Sequence, residues 1–195
     1  MTNIVIRDSD YIVSDVKVKT LTPNFVTESL TGKVNAKSRG LHSLEFKFTI
    51  TLQGEKDVRK FNALMLKLRG RLNPFILSLT DTTDGKGYFN PLVTDKIIKL
   101  TTDTPVGSTN INIAAIGAVD AGTMFQLPND TKVYTILDDV KGSGSVEIYP
   151  AIRVAHTAST NLITTVEPIL RLTGDSYEVT YDCNTDITLT AREEV

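Results

Sequence analysis

The sequence predicts a mostly β protein of the α+β kind, and three observations predict it. Threonine occurs 27 times in 195 residues, with Val and Ile also plentiful. β-Branched side chains are stiff at χ1 and pack well on pleated, half-buried surfaces. Apolar and polar residues alternate with period two in segment after segment, whereas helical spacing recurs in one segment only. Beyond residue 92, short β-prone runs follow one another with turn signals about every 8–12 residues, the pattern of a small sandwich or barrel.

In chain order, Asn3–Arg7 and Tyr11–Val13 read as short strands, and Val16-Lys17-Val18-Lys19 alternates strictly. Residues 41–52 form the clearest strand: Leu44, Phe46, Phe48, Ile50 and Leu52 fall on one face, and Glu45, Lys47, Thr49 and Thr51 on the other. After Gly54 the period changes. Glu55 and Asp57 place acids at the positive end of a helix over about 55–69, in which Val58, Phe61, Leu64, Met65 and Leu68 share a face. Lys67 and Arg69 sit in its last turn, Gly70 supplies the stop and Pro74 prevents continuation. Phe75–Leu79 is a short apolar strand.

Residues 80–92 are turn-rich (Asp-Gly, Lys-Gly, Asn-Pro) and mark a domain boundary. Strands are expected beyond it at Lys96–Leu100, Asn110–Ile113, Thr123–Leu127, Lys132–Leu137, Val146–Tyr149, Ile152–Val154 and Thr164–Leu172. Gly107-Ser108, Pro128–Asp130 and Lys141–Ser145 separate them, the Gly/Ser run reading as a hairpin tip. After Gly174-Asp175 come Tyr177–Tyr181 and Asp186–Ala191.

Composition excludes several function classes. With 41% hydrophobic and 23% charged residues the chain is long enough to bury a sizeable core. No apolar run approaches the roughly 18 residues of a membrane span, and the N-terminus lacks the pattern of a signal peptide. A net charge of −2 argues against bulk electrostatic binding of nucleic acid. That total hides a split: residues 1–92 carry 14 Lys+Arg against 9 Asp+Glu, and residues 93–195 carry 7 against 14. Opposite-signed halves attract within a chain or between copies, although a chance distribution of solvated faces gives the same counts.

Catalytic and metal chemistry find little to use. One Cys and two His cannot form an ordinary structural zinc site or a disulfide framework. His42 lies at the start of the 41–52 strand and His156 in a polar stretch; both read as surface or locally hydrogen-bonded. Cys183 has Asp182 beside it, which opposes thiolate formation. Asp8-Ser9-Asp10 and Asp138-Asp139 do not continue into a calcium loop. No phosphate loop or nucleophile motif occurs. No catalytic, cofactor-binding or metal-ligating residue is assigned, no cofactor is expected, and the chain reads as an interaction or structural module rather than an enzyme.

The order of certain strings carries a resemblance. Leu68-Arg69-Gly70-Arg71 leads into Pro74–Leu77; Asp120–Leu127 is followed by Thr131–Ile136, with "AG-x-x-F-x-L" and "KVY-x-I"; Gly144–Arg153 contains "I-Y-P"; and Ile187–Glu194 ends in "L-x-x-RE". From about Leu44 onward the chain resembles the distal tail (Dit) proteins of tailed bacteriophages and related minor tail and baseplate proteins. The resemblance implies a ring-forming β domain, here 1–91 and 174–195, with an inserted OB-like β-barrel at 92–173. It implies a homohexameric ring at the distal end of the tail tube, joining the tube protein to hub or baseplate proteins and to receptor-binding proteins. The localisation implied is the virion, assembled in the host cytoplasm, with no nucleic acid or membrane partner. The chain is too short for the large carbohydrate-binding insertions of some relatives.

In such a ring, open strand edges are satisfied by a neighbour's strands. The 41–52 strand and the opposite-signed halves are candidates for that contact; equally, the strand packs only within its own sheet against the helix. The alternatives in function are another tail-ring component (a tube or tail-completion protein) or a carbohydrate-binding module. Phe125, Tyr134 and Tyr149 are the main aromatics available for stacking in the second half.

Overall fold

A computed structural model describes residues 4–79, 97–180 and 184–194. Its elements are β1 (Ile4–Arg7), β2 (Ile12–Leu21), β3 (Asn24–Glu28), β4 (Val34–Ser38), β5 (Ser43–Gln53), α1 (Gly54–Leu68), β6 (Phe75–Ser78), β7 (Ile98–Leu100), β8 (Asn110–Val119), β9 (Met124–Phe125), β10 (Tyr134–Ile136), β11 (Val140–Tyr149), β12 (Asn161–Leu162), β13 (Ile169–Leu172) and β14 (Asn184–Glu193). The fold is mostly β, with one helix among the described residues, as the sequence predicts. Two six-stranded sheets, each with its own apolar cluster, make two lobes.

The first lobe has strand order β1-β6-β13-β14-β5-β2. The period-two segment is β5, and Leu44, Phe46, Phe48, Ile50 and Leu52 are all buried. Burial of each of these side chains contributes roughly 1.5–3 kcal/mol. Beneath that face α1 lays Val58, Phe61, Met65 and Leu68, with Leu64 partly buried beside them. The helix ends one residue earlier than the glycine signal implies. Arg69 already takes the left-handed conformation (φ 53°), its N–H donating to the Met65 carbonyl at 3.0 Å, and Gly70 follows at φ 62°. At Gly70 a side chain has no room: a Cβ there would lie 2.8 Å from the Asp175 Cα.

Both edges of β5 are occupied, by β14 over Asn184–Arg192 and by β2 over Ile12–Leu21. The 41–52 strand is therefore an interior strand, and its candidacy for a subunit contact falls. The β2–β5 ladder instead runs on beyond the sheet. β3 and β4 pair from Asn24↔Ser38 to Glu28↔Val34 and extend the same two-stranded ribbon into an arm.

The second lobe has order β12-β7-β8-β11-β10-β9 and curls until its end strands meet. Gln126, just after β9, and Ile163, just after β12, exchange both backbone hydrogen bonds at 2.9 Å, and a second bridge joins Thr104 to His156. The result is a nearly closed barrel filled by Ile98, Ile113, Phe125, Tyr134, Ile136 and Ile148, among others. The Gly/Ser run expected as a hairpin tip lies inside β11. Gly142 (φ 78°) sits at the bulge that offsets β11 against β8, and Gly144 leaves space filled by the Val140 side chain.

The domain limits shift in one place. β13 pairs with β6 and β14, so the chain is back in the first sheet by Ile169 and not first at Gly174. Val166 already belongs to the first core, and Pro168 accepts a hydrogen bond from the Leu77 N–H. The other boundary, at 80–92, lies outside the described residues. No strand forms over Ile152–Val154, nor over 177–180. Tyr177 is drawn to α1, its hydroxyl donating to the Asn62 Oδ1 at 2.6 Å and its ring edge-on to Phe61, which keeps this segment from pairing with β14.

Candidate functional site

Period-two alternation along β14 points Thr185, Ile187, Leu189, Ala191 and Glu193 inward. The fifth of these is a carboxylate, and a buried carboxylate requires a counter-charge and donors. Lys132, just before β10, supplies the charge. Its ammonium reaches Glu193 Oε2 and the His42 carbonyl (3.0 Å), with both charged side chains at 1% exposure or less. The Leu44 N–H donates to Oε2 at 3.1 Å and the Val133 N–H to Oε1 at 2.9 Å. Glu193 thus binds β5 and β14 of the first lobe to the 132–133 segment of the barrel. Burial pushes the Lys132 ammonium below the usual lysine range, while the Glu193 carboxylate opposes that.

Around this pair the joint is polar and well bonded. Gln126 donates through Nε2 to the Thr131 and Glu167 carbonyls (3.4 Å each) and accepts the Glu167 N–H through Oε1 at 2.9 Å. The Ser78 hydroxyl donates to the Glu167 carboxylate at 2.7 Å. The Tyr134 hydroxyl donates to Asp130 at 2.5 Å and accepts the Arg153 N–H at 3.1 Å; burial first, then Asp130, raises its pKa.

His42 sits at the same joint and is not the surface or locally hydrogen-bonded residue expected from the sequence; two residues before Leu44, it shares the parity of the inward face of β5. Its ring is edge-on to Tyr149 at 4.9 Å, and its Nδ1 is buried with no hydrogen-bond partner among the described residues. Burial first, then the Lys132 charge, lowers its pKa to about 4. His156 lies in the barrel's bridge to Thr104, with Nε2 buried and unpartnered among the described residues. The two histidines are not brought together with a nucleophile or a ligand set, and among the described residues no three His, Cys, Asp or Glu side chains converge on a metal position. Cys183 lies outside the described residues.

The acidic pairs have local work. Asp10 pairs with Lys60 at 3.2 Å, Asp138 accepts the Glu147 N–H at 3.1 Å, and Asp139 accepts the Ala121 N–H at 2.7 Å. Phe125 and Tyr134 stack on each other inside the barrel and are fully buried, so neither offers a ring to a ligand.

The other feature without a role in the chain's own core is the arm. All ten residues of β3 and β4 are exposed, with Phe25, Val26 and Val34 each more than half exposed and Leu30 fully so at the tip. The turn is nonetheless ordered: Ser29 and Lys33 exchange hydrogen bonds, and Gly32 takes φ 79°. Arg39 covers the Phe25 ring at 5.1 Å. Sequence alone does not assign Lys132 and Glu193 to this joint; the inward register of Glu193 on β14 is the signal that points to it. No protein-family model and no curated protein sequence matches the chain.

Proposed function

We propose that the chain is a structural subunit of a bacteriophage tail. In this reading it forms a ring, hexameric as in the distal tail proteins it resembles, at the distal end of the tail tube. The ring joins the tube protein to hub or baseplate proteins and carries receptor-binding proteins; the role is architectural, without catalysis.

The observation that carries the reading is the arm. A two-stranded ribbon exposing Phe25, Val26, Leu30 and Val34 gains nothing for its own subunit's stability, since isolated hairpins are marginal in water. Exposed apolar ribbon of this kind is stabilised by a partner. Its charge fits a second copy of the chain: Lys33, Lys37 and Arg39 stand against the lone acid Glu28, and the C-terminal half is acidic. A contact between an arm and a different patch on the next copy is heterologous, and such contacts generate rings when the rotation closes.

Two further facts support the resemblance. The strings that carry it supply the joint: Lys132 from "KVY", Tyr149 from "I-Y-P" and Glu193 from "RE". The second lobe is a small, nearly closed barrel inserted into the first, consistent with an OB-like domain. Size-exclusion chromatography with light scattering tests the reading: a closed oligomer is expected, and a clean monomer at high concentration overturns it.

A further inference from the structure

We infer that the ring contact is strand addition: the arm of one copy pairs with the open edge of β14 in the next. This rests on the ring reading above and names the surface that receives the arm. Among the described residues, β14 is paired over Asn184–Thr190 on one side only, by β5; β13 covers the other side only from Ala191 to Glu193, where the Thr173 N–H reaches the Thr190 carbonyl at 3.0 Å. Because backbone groups alternate between the two edges of a strand, the N–H and C=O of Asp186 and Thr188 share Thr190's direction and face the open side. Their side-chain neighbours agree: the Thr49 and Thr188 hydroxyls are 3.2 Å apart, the close approach of a pair that does not exchange backbone bonds with β5.

Beside this edge runs a groove of about 490 Å³, lined by Met65, Leu172, Tyr177, Glu178, Thr188 and Thr190 among others. It exists because Tyr177 holds the 174–180 segment against α1 rather than against β14. The five residues of β3 or of β4 fit within this seven-residue stretch, and among the described residues each strand of the arm is paired along one edge only.

The sheet's other open edges are defended. β2 carries Lys17 and Lys19 and a bulge at Asp15 (φ 51°), devices that resist edge pairing, and its positive charge repels the basic arm. β1 is four residues long. The barrel's end strands meet each other through Gln126 and Ile163. The β14 edge has no proline, no bulge and no basic residue: between Leu172 and Ala191 the sequence has Asp175, Glu178, Asp182 and Asp186 and no Lys or Arg. Charge therefore directs Lys33, Lys37 and Arg39 to this edge, and main-chain bonding supplies the register.

Hydrogen exchange on the full chain tests the docking directly. The amides of Asp186 and Thr188 are expected to exchange at least tenfold more slowly in the oligomer than in the diluted monomer; equal exchange overturns the docking. A second arm uses Thr188→Pro, which removes an edge N–H without touching the β5 ladder, against Phe25→Ser/Val26→Ser in the arm. Both variants are expected to be monomeric. If Thr188→Pro assembles while the arm variant does not, the docking falls and the ring reading stands. If the unaltered chain is monomeric, both fall. Should Thr188→Pro fail to fold, the exchange measurement on the unaltered chain still decides.

Discussion

Replacing one member of the Lys132–Glu193 pair leaves the other charge buried at the joint, out of reach of solvent. Glu193→Gln leaves an ammonium at 1% exposure beside one carbonyl and a neutral amide. Breaking a buried pair from one side costs about 3–5 kcal/mol. Lys132→Met leaves the carboxylate with two backbone N–H donors, from Leu44 and Val133, and costs about 3 kcal/mol by the same reasoning. For a chain of this length each kcal/mol moves the midpoint by roughly 2–4 °C, so each single variant is expected to melt about 6–20 °C lower.

The double variant separates coupling from simple damage. With Lys132→Met and Glu193→Gln together no charge is buried, and the amide oxygen introduced at position 193 still accepts one of the two N–H groups. The expected cost is about 4 kcal/mol against about 6–8 for the sum of the singles, a coupling energy of about 2–4 kcal/mol. Urea unfolding followed by circular dichroism, at one fixed protein concentration so that the proposed assembly would add equally to every variant, measures all four corners of the cycle. Singles that add to within about 0.5 kcal/mol would refute the idea that this pair holds the lobes together.

Three other variants test separate features. His42 has a folded-state pKa of about 4 against an ordinary 6.5, so between those values the unfolded chain holds a proton the folded chain does not. Stability therefore rises with pH across that window and is flat above it; after allowance for partial exposure the effect is about 1–2 kcal/mol. His42→Phe is expected to lose that much less than the parent between pH 7 and pH 4.5 in paired urea titrations, and parallel losses would contradict the assignment. Gly70→Ala is expected to destabilise by about 1–3 kcal/mol, because its Cβ meets backbone at 2.8 Å on a left-handed φ; Gly174→Ala, whose nearest contact is an ordinary 3.8 Å, serves as the near-neutral control in the same thermal melts. Tyr134→Phe strips the Asp130 carboxylate and the Arg153 N–H of a partner and is expected to cost about 1–3 kcal/mol by calorimetry, with the barrel's stacking on Phe125 kept.

What was legible in the sequence follows the range of the forces involved. β5 and α1 were legible to within a residue or two because their periodicity is local and each apolar face has one place to go. The Gly142–Ser145 run misled because a bulge and a turn use the same residues, and only the partner strand β8 distinguishes them. Over 177–180, the described part of the strand expected at Tyr177–Tyr181, no strand forms because the outcome is a competition: a β-prone segment beside β14 is held to α1 by one hydroxyl and one ring. Boundaries between lobes were illegible at β13, where the pairing partners lie about 90 residues upstream in β6 and about 20 downstream in β14.

The joint was half legible, through strand register. Inward alternation placed a glutamate at the end of a run of Thr, Ile, Leu and Ala, and a strand this regular does not turn a carboxylate inward without a counter-charge waiting there. The counter-charge could not come from β5, whose inward face is wholly apolar, nor from α1, whose buried residues are Val, Phe, Met and Leu. It comes from outside the first sheet: the barrel provides it within one residue of a backbone N–H that binds the same carboxylate. An apolar joint of equal area would tolerate sliding between the lobes. Two directional bonds cross the joint to one buried Glu193, from Lys132 and Val133, while the Leu44 N–H fixes that carboxylate within its own sheet, and together they hold the lobes in one orientation. In the ring proposed above, a fixed orientation of the barrels is what this joint would contribute.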